Sequence, residues 1–239
     1  MPFEERRTST RTRIIQLGAK LFSEEGYSRT SFTRISSELD ISLGNITFYF
    51  PTKEHLLAVL CNLLCSFQRK LMEEEAGEGY STLLSYCLEL TSMTAICEED
   101  EVARDLFHAF YTSPMSLEII RDNDTQKTKE VFGEYRPNWS EEKWIEAENL
   151  VSGIEYATVM TRESRTPLHI QIEGGLETIL TLYGVPSDVC HKKIEQVLSM
   201  DYRALGRRIL GAFREYIEKT NEEALKVAQS RRARNPWRE

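Results

Sequence analysis

The stretch Gly26–Leu56, GYSRTSFTRISSELDISLGNITFYFPTKEHL, decides how the N-terminal part of the chain folds. Gly26-Tyr27 closes a preceding helix, and Thr30 or Ser31 caps a second one with Phe32, Ile35 and Leu39 on one side. Asp40 marks a tight turn, and Ser42 caps a third helix running to about Tyr49. Helices this short do not hold alone. They need a shared core, for which Leu21, Phe22, Ile35, Leu39, Ile41, Ile46 and Phe50 are available. Two short helices around a tight turn on a common core form a helix-turn-helix unit, whose last helix enters a DNA major groove.

Outward from this stretch the helical period continues. Upstream, Ile14, Leu17, Leu21 and Phe22 recur at helical spacing; after Pro51, Leu56, Leu60, Leu63, Phe67 and Leu71 make a longer stripe. Further helices are predicted near 80–97, 101–112, 115–134, 140–162, 168–183, 187–199 and 201–228, separated by breakers such as Ser113-Pro114 and Gly184-Val185-Pro186. Period-two alternation is confined to Leu168-His169-Ile170-Gln171-Ile172, inside a helical context. The fold class is all-α, with no internal repeat.

At 239 residues, 41% hydrophobic and 28% charged, the chain has ample material for a core. No apolar run is long enough to cross a membrane, and the N-terminus lacks a signal-peptide stretch. The five cysteines form an odd set without a CxxC pair, which points to reduced thiols in a cytoplasm. The net charge of −8 speaks against phosphate binding until it is divided. Residues 1–55 carry eight Lys and Arg against seven Asp and Glu, so the acidity belongs to the remainder. A weakly positive head implies moderate nonspecific affinity and heavy reliance on base contacts.

Gly26-Tyr27, Thr30-Ser31, Ile35, Ile41-Ser42, Gly44, Ile46 and above all Tyr49-Phe50-Pro51-Thr52-Lys53-Glu54-His55-Leu56 resemble the N-terminal domain of TetR/AcrR-type transcriptional regulators. The match covers roughly residues 10–57. The resemblance implies a homodimer, a double-stranded DNA operator, a small-molecule effector, a repressor role and no enzymatic activity. It also implies a three-part chain: a helix-turn-helix head with a basic arm (1–55), a helical ligand-binding and dimerisation body (56–228), and a basic tail (229–239). Two positions depart from the family pattern. Asp40 stands where a turn glycine is usual, and Thr47 where a phosphate-contacting tyrosine is frequent.

On the third helix, Leu43, Asn45, Thr47 and Phe48 are not needed for the core and are expected to face bases: Asn45 an adenine edge, Leu43 or Phe48 a thymine methyl. Gly44 permits close backbone approach. Tyr49 and Lys53, joined by Ser31 and Thr33, are the expected phosphate contacts, and Ser42 is also expected at the DNA. Thr33 and Thr47 read equally well as plain helix surface, and Tyr49 alternatively as core. Arg6, Arg7, Arg11 and Arg13 read as a DNA-tracking arm or as a solvated tail.

The body carries no motif for a reaction. Cys61 and Cys65 stand one helical turn apart, but both border an apolar stripe and read as small hydrophobes, so no metal and no cofactor is expected. Met93, Phe107, His108, Phe110, Tyr111, Trp144, Tyr156 and Met160 are candidate effector contacts, although core packing explains them as well. The helices at 140–162 and 168–183 need burial on two sides and are dimer candidates, with the last helix as competitor. Rival readings are a constitutive DNA-binding protein or an activator without ligand, and a helical enzyme.

Overall fold

The structure, a computed structural model, describes residues 9–77, 81–161 and 166–220. Among them are eleven helices and no strand: α1 Thr10–Glu24, α2 Phe32–Leu39, α3 Leu43–Tyr49, α4 Lys53–Gly77, α5 Thr82–Glu99, α6 Glu101–Thr112, α7 Pro114–Phe132, α8 Glu141–Met160, α9 Leu168–Leu182, α10 Ser187–Ser199 and α11 Tyr202–Glu218. Leu168–Ile172 opens α9, so its short alternation belongs to a helix. The tail at 229–239 and the arginines Arg6 and Arg7 lie outside the described residues. Arg11 and Arg13 are within α1 rather than in an arm. Arg11 lies 5.7 Å from the Phe50 ring centroid, and Arg13 Nη2 donates to the Leu39 carbonyl at 3.3 Å.

The head consists of α1, α2, α3 and the first turns of α4. Ser9, Ser31 and Ser42 each cap a helix, their hydroxyl oxygens accepting from Thr12 N, Arg34 N and Asn45 N. Gly26, at φ +106°, turns the chain out of α1. Asp40 ends α2 in the left-handed region (φ 52°, ψ 49°), the conformation its short polar side chain tolerates better than other side chains do. Phe22, Ile35 and Ile46 are fully buried and Leu21 and Phe50 nearly so, while Leu39 and Ile41 pack against them half-buried. Gly18 lets α4 approach α1 closely: a Cβ there would fall 2.5 Å from Leu56 Cδ2.

The body is layered around α5, buried along most of its length, with α4, α6, α8 and α11 among the helices packed on it. Gly206 brings α11 onto α5, since a Cβ there would lie 3.0 Å from Ile96 Cγ1 and 3.1 Å from the Ser92 carbonyl. Arg203 and Arg207 of α11 pair with Glu99 at 2.9 and 2.7 Å. Between α5, α7 and α8 the interior is charged. Lys127 Nζ is 2.7 Å from Asp124 and 2.9 Å from Glu89. Glu148 and Glu155, 1% and 5% exposed, accept from the hydroxyls of Tyr183 and Tyr111.

Candidate nucleic-acid interface and effector cavity

Of the seven residues of α3 only Ile46 is buried; Leu43, Gly44, Asn45, Thr47, Phe48 and Tyr49 are exposed. Phe48 is 79% exposed, with its ring edge-on to Tyr49 at 5.0 Å. With Leu43 and Tyr49 also exposed, Phe48 belongs to a cluster of large apolar side chains left in water on one short helix. Ser31, Thr33 and Ser42 are exposed too, so the expected DNA-facing residues of α2 and α3 are all accessible. The Ser31 and Ser42 hydroxyls act as acceptors in their caps and keep their protons for another acceptor, such as a phosphate oxygen. Thr47 differs: its hydroxyl lies 3.3 Å from both the Leu43 and the Gly44 carbonyls, so its proton stays within the helix.

Lys53 is turned toward the protein. Its ammonium donates to the Tyr27 and Thr30 carbonyls at 3.0 and 3.1 Å and sits 4.0 Å from the Tyr27 ring centroid. Desolvation lowers its pKa. Two of its three N–H groups thus hold the turn that leads into α2, and one remains. Sequence spacing gave no signal for this, because the partners are backbone carbonyls more than twenty residues away.

Four further bonds fasten the head to the body. Ser28 N donates to Asp105 of α6 at 2.7 Å, with the Ser28 hydroxyl on the same carboxylate. Arg214 Nη2 of α11 donates to the Ser23 carbonyl at 2.6 Å, and Gln16 Nε2 of α1 donates to the Thr220 carbonyl at 2.7 Å.

Beneath these fastenings lies a cavity of about 50 Å³ between α4, α5, α6 and α11, walled mainly by apolar side chains including Phe67, Phe107, Phe110 and Phe213. Ser23, at the C-terminal end of α1, is part of its wall. Of the expected effector contacts, Met93, Phe107 and Phe110 line it. The other five lie elsewhere. His108, Tyr156 and Met160 line an outer depression beside Asp105 and Arg29. Tyr111 is bonded to Glu155, and Trp144 packs against Trp139 and Tyr183 in the core. Cys61 is buried with its thiol toward the Ser116 carbonyl, whereas Cys65 is half-buried.

Residues 14–60 match the family model described as bacterial regulatory proteins, tetR family. The chain carries a tetR-family head. Over 127 residues, half of this chain and 53% of the relative, it is 29% identical to the HTH-type transcriptional regulator HbdR of Aromatoleum sp. (strain CIB). Over 49 residues it is 45% identical to the uncharacterized HTH-type transcriptional regulator YuxN of Bacillus subtilis (strain 168). The chain thus spans about half the length of the first relative and 17% of the second. Among solved structures it is similar to a gamma-butyrolactone receptor described as ArpA-like (16% identity, TM-score 0.41, 85% of this chain and 97% of that one). It is also similar to the TetR family protein CprB from S. coelicolor A3(2) (16% identity, TM-score 0.37, 86% and 96%). The tetR-family match ends at residue 60, part-way along α4, the helix that continues from the head into the cavity wall at Leu64, Phe67 and Gln68.

Proposed function

We propose that the chain is a cytoplasmic, dimeric transcriptional repressor that binds a palindromic double-stranded operator and is released by a small effector, with no catalytic activity. The observation that carries this reading is α3, a helix exposed on every residue except Ile46, presented by a tetR-family head. Asn45 reads an adenine edge, Leu43 and Phe48 pack on thymine methyls, and Gly44 lets the backbone come close. Ser31, Thr33, Ser42 and Tyr49 meet phosphates, joined by the remaining N–H of Lys53. Thr47 serves as van der Waals surface toward the bases. The head comprises residues 1–55, the effector-binding and dimerising body 56–228, and the tail 229–239.

Dimerisation uses α8 and α9. Their outer faces expose Ile145, Leu150, Tyr156 and Ile170, and beside them Gly153 and Gly174 face open space, so another pair of helices can come close. Two heads held this way address half-sites one helical turn or a multiple apart, and a change of spacing weakens both together. Effector occupancy widens the space between α5 and α11. Ser23 is on that wall and its carbonyl is held by Arg214, while α4 leads directly to Lys53, so the head moves with the wall. A coupling of about 1–3 kcal/mol suffices to shift operator affinity ~5–150-fold. The cavity favours this reading over a constitutive binder, which would have no use for one.

Selection of bound sequences from random duplex DNA tests the proposal. A palindromic site is expected, and Asn45→Ala should relax the preference at one position per half-site by about 1–3 kcal/mol without abolishing binding. Recovery of no palindrome would overturn it.

A further inference from the structure

The cavity has a chemistry that its apolar walls conceal. On α5, Thr91 donates its hydroxyl to the Cys87 carbonyl at 2.8 Å and Thr94 to Leu90 at 2.7 Å, the usual recourse of a hydroxyl inside a helix. Ser85 and Ser92 on the same helix, each 2% exposed, make no such bond: both hydroxyls are buried without a partner. They are two turns apart, so they share one face, and both line the cavity. A buried hydroxyl without a partner is disfavoured unless something satisfies it. Across the cavity, the Gln68 amide N–H of α4 meets, among the described residues, only the Met93 sulfur, at 3.6 Å, a weak acceptor.

Charge narrows the ligand further. Among the described residues the lining contains no Lys, Arg or His, and its single charged residue, Glu89, is paired with Lys127. An anion would therefore enter with no counter-charge, and a carboxylate already stands on the wall. Four phenylalanine rings, together with Leu, Ile, Met and Ala side chains, supply most of the remaining surface.

We propose, resting on the effector reading above, that this cavity binds an uncharged, largely aromatic ligand bearing a single hydroxyl or carbonyl group, which Ser85 and Ser92 of α5 recognise. At about 50 Å³ the space holds one or two waters. The ligand therefore makes its own room by turning the flexible Met93 and Gln68 side chains and by lifting α11 from α5. Exclusion of anions and recognition of one polar group follow from the same wall.

Three bicyclic probes of matched size test this on the full chain: naphthalene, 2-naphthol and 2-naphthoate, titrated at pH 7 in the absence of DNA. 2-Naphthol is expected to bind ~2–10-fold more tightly than naphthalene, as one or two satisfied hydrogen bonds imply, and 2-naphthoate at least tenfold more weakly than 2-naphthol. In Ser85→Ala/Ser92→Ala the advantage of 2-naphthol over naphthalene should vanish while naphthalene binding is kept. Because these changes remove unsatisfied buried hydroxyls from a helix, the variant's thermal midpoint should not fall, and each single variant serves as a check on the pair. Binding of 2-naphthoate as tight as that of 2-naphthol, an advantage that survives in the double variant, or failure of all three probes to bind would overturn the proposal. No DNA enters the titration, so its failure leaves the operator selection standing, and failure of that selection leaves the cavity chemistry standing.

Discussion

Replacing Lys53 by Met tests how the head is held together. The ammonium makes two charge-assisted bonds, to the Tyr27 and Thr30 carbonyls, and lies over the Tyr27 ring. Bonds of this kind contribute about 1.5–3 kcal/mol each when removed, and a half-exposed cation–ring contact about 0.5–1 kcal/mol. Against this, Met regains the desolvation that Lys53 suffers and still covers the ring. The net expectation is a loss of about 2–3 kcal/mol, which for a chain of this length lowers the thermal midpoint by about 5–10 °C. Circular dichroism against temperature and urea measures it, with Lys53→Arg retaining donors as the comparison. Operator affinity against salt supplies the second readout: a slope shallower by about one in Lys53→Met reports the phosphate contact of the remaining N–H. A variant within about 0.5 kcal/mol of the parent would refute the claim that Lys53 holds the turn.

Burial lifts the Glu148 carboxyl from 4.5 to about 7, helped by the neighbouring Asp124 charge and opposed by the Tyr183 hydroxyl. The unfolded chain therefore loses this proton at lower pH than the folded one, and stability declines as pH rises from about 4.5 toward 7. Glu148→Gln should flatten that decline and be more stable at pH 8 by on the order of 2 kcal/mol; urea midpoints at pH 5 and pH 8 decide it, and a parent that gains on the variant between them reverses the sign. Asp40→Gly should raise stability by about 0.5–1 kcal/mol by relieving a left-handed backbone, whereas Asp40→Val should lower it by at least 1 kcal/mol.

What was legible in the sequence followed from local rules. Ser31, Ser42, Gly26 and Asp40 are read from capping and turn chemistry alone, and each is found in the role that chemistry assigns. The helices of the body fall within a few residues of their expected bounds except the last, expected over 201–228, which ends at Glu218 where Lys219 closes it. What was not legible depended on partners distant in the chain. Arg11 and Arg13 look like the end of a basic arm until Phe50 and the Leu39 carbonyl are brought to them. Trp144 and Tyr111 are apolar enough for a cavity, yet the interior of the body takes them. Trp144, Glu148, Val151, Glu155 and Thr158 share a single helical face, so their spacing buries the two acids with the tryptophan. In the same way Ser85 and Ser92 fall on the inward side of a helix buried nearly all round.

The bonds from Asp105, Arg214 and Gln16 also bear on how far the head is a module. Its α1, at Gln16 and Ser23, and the turn after it, at Ser28, are bonded to parts of the chain 204, 191 and 77 residues away in sequence. A chimera that grafts this head onto another protein's body would leave the Ser23 carbonyl and Ser28 facing foreign side chains and, on the proposed function, would lose the route from the cavity to the operator. Exchange of specificities between such proteins is therefore better made by transplanting the exposed residues of α3 into an otherwise intact chain.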